Sequence, residues 1–143
     1  MPIALLNRDQ LRQLCESRLE EARVLLENKL WTGAYYFTGL AMECALKSCL
    51  ANDVKQYDFP EKSFVNQMYV HNLELLFKLN PALWSDLETD IRSNAKLALN
   101  WSIIRVWNDN KRYEVVEELI AESLYEAATA TDSGIVPWIR RRW

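Results

Sequence analysis

The stretch that decides the fold is TGAYYFTGLAMECALKSCL, residues 32–50. On a helix, its apolar side chains cover nearly every side, which is typical of a central helix packed among others. Gly33 and Gly39 lower the helix propensity of this stretch, so we expect them to serve close approach of neighbouring helices. The chain is therefore predicted to be built around one buried helix.

Helical spacing of apolar residues continues on both sides of this stretch, and no segment alternates with the period of a strand. Asn7 is predicted to cap the first helix, with Gln10 completing a capping box, and a break is expected near Asn94. Helices are predicted over residues 8–30, 32–50, 71–79, 82–108, 113–131 and 135–142. The sequence predicts an all-α fold, an antiparallel helical bundle of about five helices with a long connection at 52–70, in a single domain over 1–143.

Composition excludes several functional classes. The 143 residues are 50% hydrophobic with a net charge of -3, which argues against disorder and against nucleic-acid binding through overall charge. A single histidine excludes sites that need two, and three scattered glycines leave no phosphate-binding loop. No metal site and no cofactor is predicted.

The cellular location is predicted from three further features. The N-terminal MPIALLNRDQ lacks the basic start and long apolar core of a signal peptide. Three cysteines are an odd number, so we expect them to be reduced and mostly buried rather than paired. The longest uncharged apolar stretch, residues 30–42, is too short to span a bilayer. These features predict a cytoplasmic protein with no membrane association.

Two charged residues stand out on the central helix. Glu43 and Lys47 are spaced as a favourable i, i+4 ion pair and share a face with Tyr36. One interpretation is a salt bridge that eases two charges on an otherwise buried helix. The other is a polar spot in a cleft or at a dimer interface.

The second candidate is WNDNKRY, residues 107–113, at a predicted turn between helices. It is either a capping turn or a contact for a nucleotide or RNA, in which Arg112 pairs with phosphate and Trp107 or Tyr113 stacks on a base. Asn108 begins the polar part of this turn.

His71 and the C-terminal PWIRRRW are the remaining candidates. His71 begins HNLELL, where a packing or hydrogen-bonding role is expected ahead of a catalytic one. The basic patch Arg140, Arg141 and Arg142 either binds phosphate or complements the dipole of a helix C-terminus, and we favour the dipole.

Several motifs in order resemble the HEPN superfamily of small helical domains. They are RLEEARVLLENKLWTGAYYFTGLAMECALKSCL (18–50), FPEKSF (59–64), HNLELL (71–76), the W-x4-RY of Trp107, Arg112 and Tyr113, and GIVPWIRRRW (134–143). The resemblance covers nearly the whole chain.

The resemblance implies a helical bundle that dimerises and associates with RNA or nucleotides. Many relatives are metal-independent ribonucleases with an Arg-x4–6-His motif near the last helices. Here no histidine follows Arg105 or Arg112, and the nearest arginine upstream of His71 is Arg23. The usual acid–base histidine is absent, so no catalytic residue is assigned and the chain is expected to be a non-catalytic member.

Three functions are left open. The first is a dimeric domain that binds RNA or a nucleotide. The second is a prokaryotic, toxin–antitoxin-like interaction subunit of a small nucleotidyltransferase, and the third is a degenerate ribonuclease that uses His71 or Tyr113. The candidate ligand-binding residues are Glu43, Lys47, His71, Trp107, Asn108, Arg112 and Tyr113.

Overall fold

A computed structural model of the protein describes residues 7–53, 66 and 70–143. The helices are α1 (Arg8–Glu27), α2 (Trp31–Asp53), α3 (Leu73–Lys78), α4 (Pro81–Ser93), α5 (Ala95–Ile104), a 3-10 helix (Asp109–Tyr113), α6 (Glu118–Thr129) and α7 (Ile135–Arg140). These ranges contain no strand, which confirms the predicted all-α fold. The described part has seven α-helices rather than about five, since the short helices α3 and α7 are separate elements and the predicted 82–108 helix divides at Asn94 into α4 and α5.

The first helix begins as predicted and ends earlier than predicted. The Asn7 side chain accepts from the backbone N–H of Gln10 at 2.9 Å, and the Gln10 side chain accepts from that of Asn7 at 3.0 Å, so the capping box is confirmed. The helix ends at Glu27 instead of residue 30, because Lys29 adopts a left-handed conformation (φ 59°) that no helix can continue through.

The central helix is α2, as predicted. It packs most extensively along α1 and also contacts α3, α6, α7 and the 3-10 helix. Its two fully buried hydroxyls are satisfied within the helix: Thr38 donates to the Ala34 carbonyl at 2.8 Å and Ser48 to the Ala45 carbonyl at 2.7 Å. Burial on several sides explains why the stretch shows no polar face.

The predicted long connection at 52–70 falls mostly outside the described residues. The helix before it continues to Asp53, three residues past the predicted end. Residue 66 is helical, and residues 54–65 and 67–69 are not among those described.

Asparagine caps divide the middle of the chain into separate helices. Asn72, Asn80 and Asn94 each accept a hydrogen bond from a backbone N–H three residues ahead, at 3.0–3.1 Å. Pro81 occupies the first turn of α4, where its missing N–H costs nothing. The predicted break near Asn94 is confirmed.

We expect Asn94→Ala to lower the free energy of unfolding by about 1 kcal/mol, because the first turn of α5 loses its side-chain acceptor. Urea unfolding followed by circular dichroism measures the change. Asn94→Asp keeps an acceptor and is expected to unfold close to the wild type. An equal loss in both variants would show that the cap is not the cause.

The start of the last long helix was predicted wrongly. We expected it near Tyr113 or Glu114, but α6 begins at Glu118. The backbone N–H of Val116 donates to the Thr32 side chain at 3.0 Å, and Val116 is buried. This tertiary contact holds the segment before α6 against the start of α2, so the acidic residues there do not form a first helical turn.

The last helix, α7, is confirmed with Pro137 in its first turn. It packs against α2, α5 and α6 through Ile135, Val136, Trp138 and Ile139, all of which are buried. Among the described residues, no helix is long and apolar enough to cross a membrane.

Candidate functional site

The polar centre of the molecule lies where α2 meets the start of α3. Glu43 Oε1 accepts from Lys47 Nζ at 2.7 Å and lies 2.7 Å from His71 Nδ1. The predicted Glu43–Lys47 pair is therefore confirmed, and His71 joins it from 28 residues away. We call Glu43, Lys47 and His71 the Glu43 cluster.

The carboxylate orients the histidine ring. A carboxylate can only accept hydrogen bonds, so the N–H group at Nδ1 of His71 donates a hydrogen bond to Glu43. Nε2 lies on the side of the ring that faces away from Glu43. The side chain of His71 is 49% exposed, whereas that of Glu43 is only 7% exposed. In the Glu43 cluster, the carboxylate is therefore buried and the imidazole is accessible to solvent.

The second carboxylate oxygen of Glu43, Oε2, is buried and accepts no hydrogen bond from the residues that the structure describes. Lys47 uses one of its three N–H donors on Oε1, and its side chain is more buried than that of His71. Nitrogen donors from two chain segments thus contact one oxygen of Glu43. The other N–H groups of Lys47 are left to contact a ligand.

No reactive thiol lies beside the histidine. Cys44 follows Glu43, and burial, with a smaller effect from the Glu43 charge, raises the pKa of its thiol. Burial raises the pKa of Cys15 to about 12. The three cysteines, all described, form no disulfide, as predicted. Within 7–53, 66 and 70–143 no group of three acidic, histidine or cysteine side chains is placed to hold a metal ion.

Trp107 lies in the core instead of at a binding surface. Its ring is 1% exposed and packs on α2 at Gly39, where an added Cβ would lie 1.8 Å from a ring carbon. Its centroid lies 6.1 Å from that of Tyr36. The ring is thus not accessible to a base, and the expected close approach at Gly39 is confirmed.

After Asn108, the remaining residues of WNDNKRY (Asp109–Tyr113) form the 3-10 helix, which packs against α2. The Asn108 side chain accepts from the backbone N–H of Asn110 at 3.0 Å, which is the capping role weighed for this turn. Tyr113 is 77% exposed. Arg112 belongs to this helix, but its side chain lies outside what the structure describes.

The C-terminal arginines mostly bind the protein's own acids. Arg140 donates to both oxygens of Glu16 at 2.8 and 2.7 Å. Arg142 donates to Asp90 at 3.0 Å and lies 3.8 Å from the ring of Trp138. Arg141 is exposed. These contacts tie the chain end to α1 and α4, and they leave only part of the predicted basic patch for an external anion.

Sequence reasoning found Glu43 and Lys47 as a pair but did not connect His71 to them. The spacing of 28 residues follows no helical period, because it spans the connection between two elements. The only signal was chemical: a histidine directly before a helix and a carboxylate on an otherwise apolar one.

Comparison of the chain with protein-family models, curated proteins and solved structures finds no match.

Proposed function

We propose that this protein is a non-catalytic, homodimeric HEPN-like domain that binds RNA or a nucleotide, with a phosphate group held at the Glu43 cluster. The observation that carries the proposal is the single oxygen of Glu43 that accepts from Lys47 and His71 at once. The order of the sequence motifs supports the HEPN-like assignment.

The chemistry of the cluster suits an anion. A phosphate oxygen can accept from a remaining N–H of Lys47 and from Nε2 of His71 when the ring is protonated. Charge-assisted hydrogen bonds of this kind are the stronger ones in proteins. Glu43 in this role is a positioning residue that does not touch the ligand.

The base of the ligand has a different candidate contact. Tyr113 is exposed on the 3-10 helix, which packs on the same central helix as the cluster. Base stacking on an exposed aromatic ring tolerates many sequences. Arg112, the neighbour of Tyr113, supplies a second phosphate contact in this proposal.

We expect Lys47→Gln to weaken binding of fluorescently labelled nucleotides and short RNAs about tenfold, since the loss of one charge-assisted contact costs about 1.5 kcal/mol or more. Fluorescence anisotropy measures the dissociation constants. Arg112→Ala is expected to weaken binding as well, and both variants should show a shallower dependence on salt.

Arg92→Ala is the matched control, because it removes one exposed cation from α4, outside the cluster. It is expected to bind like the wild type. The proposal is overturned if neither nucleotides nor RNA bind to the wild type, or if Arg92→Ala weakens binding as much as Lys47→Gln.

A second candidate is an interaction subunit for a small nucleotidyltransferase, in a toxin–antitoxin-like pair. The observation that favours it is a group of exposed aliphatic side chains around the start of α6. Co-purification from the native host with the product of a neighbouring gene tests it. A chain that purifies alone from that host would count against it.

Because Glu43 orients the His71 ring, residual cleavage of RNA is also measured. A sensitive RNA cleavage assay compares the wild type with His71→Ala. Equal background in both supports a non-catalytic domain, whereas loss of cleavage in the variant would assign His71 a catalytic role.

A further inference from the structure

The start of α6 combines exposed aliphatic side chains with unpaired acids. Val115 is 94% exposed and Leu119 is 73% exposed, and Ile120 is also exposed. All four residues from 117 to 120 are exposed, and burial begins only at Ala121. The first turn of α6 is therefore exposed to solvent, between the buried Val116 and the buried Ala121. We call Val115, Leu119 and Ile120, together with Glu117, Glu118 and Glu122, the acidic aliphatic surface.

The charge of this surface has one sign. Residues 113–131 contain five glutamates and no lysine or arginine. Glu117, Glu118 and Glu122 form no ion pair with any residue that the structure describes. Elsewhere the exposed acids are commonly matched, as Glu16 is by Arg140 and Glu21 by Arg18. The acids of α6 are thus left to face solvent or another molecule.

We propose that the acidic aliphatic surface docks a different polypeptide, through an amphipathic segment that presents aliphatic side chains flanked by lysine or arginine. Exposed aliphatic side chains grouped together mark interaction sites, and the surrounding charge selects the partner. The proposal states the partner chemistry of the second candidate function and rests on it, but it is independent of nucleotide binding at the Glu43 cluster.

The negative charge of the acidic aliphatic surface disfavours three other binding partners. A second copy of this chain, placed on the same surface by two-fold symmetry, would bring two sets of three glutamates together. Nucleic acid and anionic membranes carry the same sign of charge as the surface and are repelled by it. A basic amphipathic protein segment satisfies both the aliphatic side chains and the acids around them.

The test uses two synthetic amphipathic peptides of about 18 residues, one of leucine and lysine at helical spacing and one of leucine and glutamate. We expect the lysine peptide to bind the full chain in fluorescence anisotropy and the glutamate peptide not to bind. Leu119→Ser is expected to weaken binding of the lysine peptide about tenfold, since it removes a central aliphatic contact.

Charge reversal provides the sharper test. Glu118→Lys/Glu122→Lys is expected to bind the lysine peptide at least tenfold more weakly, a loss of about 1.4 kcal/mol or more. The same variant is expected to bind the glutamate peptide more tightly than the wild type does. The control Glu88→Lys/Asp132→Lys changes net charge equally on other parts of the surface and is expected to bind like the wild type. Leu119→Ser changes no charge and should leave nucleotide binding unchanged, which separates this proposal from the first candidate function.

Several outcomes overturn the proposal. Equal loss in the control variant would mean that overall charge drives binding, and absence of binding to the lysine peptide would remove the docking site. Self-association in sedimentation equilibrium that Leu119→Ser abolishes would assign this surface to a second copy of the chain.

Discussion

Gly39→Ala is expected to lower the free energy of unfolding by about 3 kcal/mol, the upper range for overpacking of a filled core. The added Cβ would lie 1.8, 2.2 and 2.2 Å from three atoms of the Trp107 ring. That ring is large, rigid and buried, so it can yield only if the segment between α5 and the 3-10 helix, which carries Trp107, moves away from α2. Chemical denaturation followed by tryptophan fluorescence measures the loss.

A double-mutant cycle identifies the cause. Trp107→Leu makes space beside α2, so we expect Gly39→Ala to cost less in that background, with a coupling energy of at least about 1 kcal/mol. Gly33→Ala is the matched control in the same helix, because its Cβ would meet only the flexible Leu25 side chain, at 3.2 Å. It should leave stability nearly unchanged. Additive costs of Gly39→Ala and Trp107→Leu would contradict the steric explanation.

Glu43→Ala is expected to lower the free energy of unfolding by about 2 kcal/mol and to abolish nucleotide binding, since it removes two charge-assisted hydrogen bonds and leaves Lys47 without its partner. The loss of stability should be smaller than for breaking a fully buried ion pair, because Lys47 and His71 both reach solvent. Thermal unfolding and anisotropy report the two effects.

The double variant Glu43→Met/Lys47→Met separates stability from binding. Replacement of a buried ion pair by apolar side chains of similar size is often neutral for stability. We therefore expect this variant to unfold close to the wild type and yet to bind no nucleotide. Retention of nucleotide binding by a folded double variant would remove the Glu43 cluster from the proposed function.

The all-helical architecture was predictable because its signals are local. The capping box at Asn7, the Asn94 cap and the apolar central stretch each act within a few residues of the chain. The start of α6 was not predictable in this way, because the hydrogen bond from Val116 to Thr32 joins residues that are 84 apart. Such a contact leaves no trace in sequence periodicity.

The candidate site was predictable only in part for the same reason. Glu43 and Lys47 are neighbours on one helix, so their spacing indicates the pair directly. The position of His71 depends on how the chain returns to α2, and the burial of Trp107 depends on the side-chain-free patch that Gly39 provides. An aromatic residue in a polar turn looks accessible in sequence, although here it fills a space beside the central helix.

The link between Arg140 and Glu16 joins residues that are 124 apart. Exposed ion pairs of this kind add little stability, so the attachment of α7 to the rest of the bundle relies on its buried side chains. During synthesis, the core therefore stays open until α7 has been made, and the apolar surface that receives Trp138 is exposed to chaperones and proteases until then. A chain that stops before α7 should be degraded far faster than the chain that includes it.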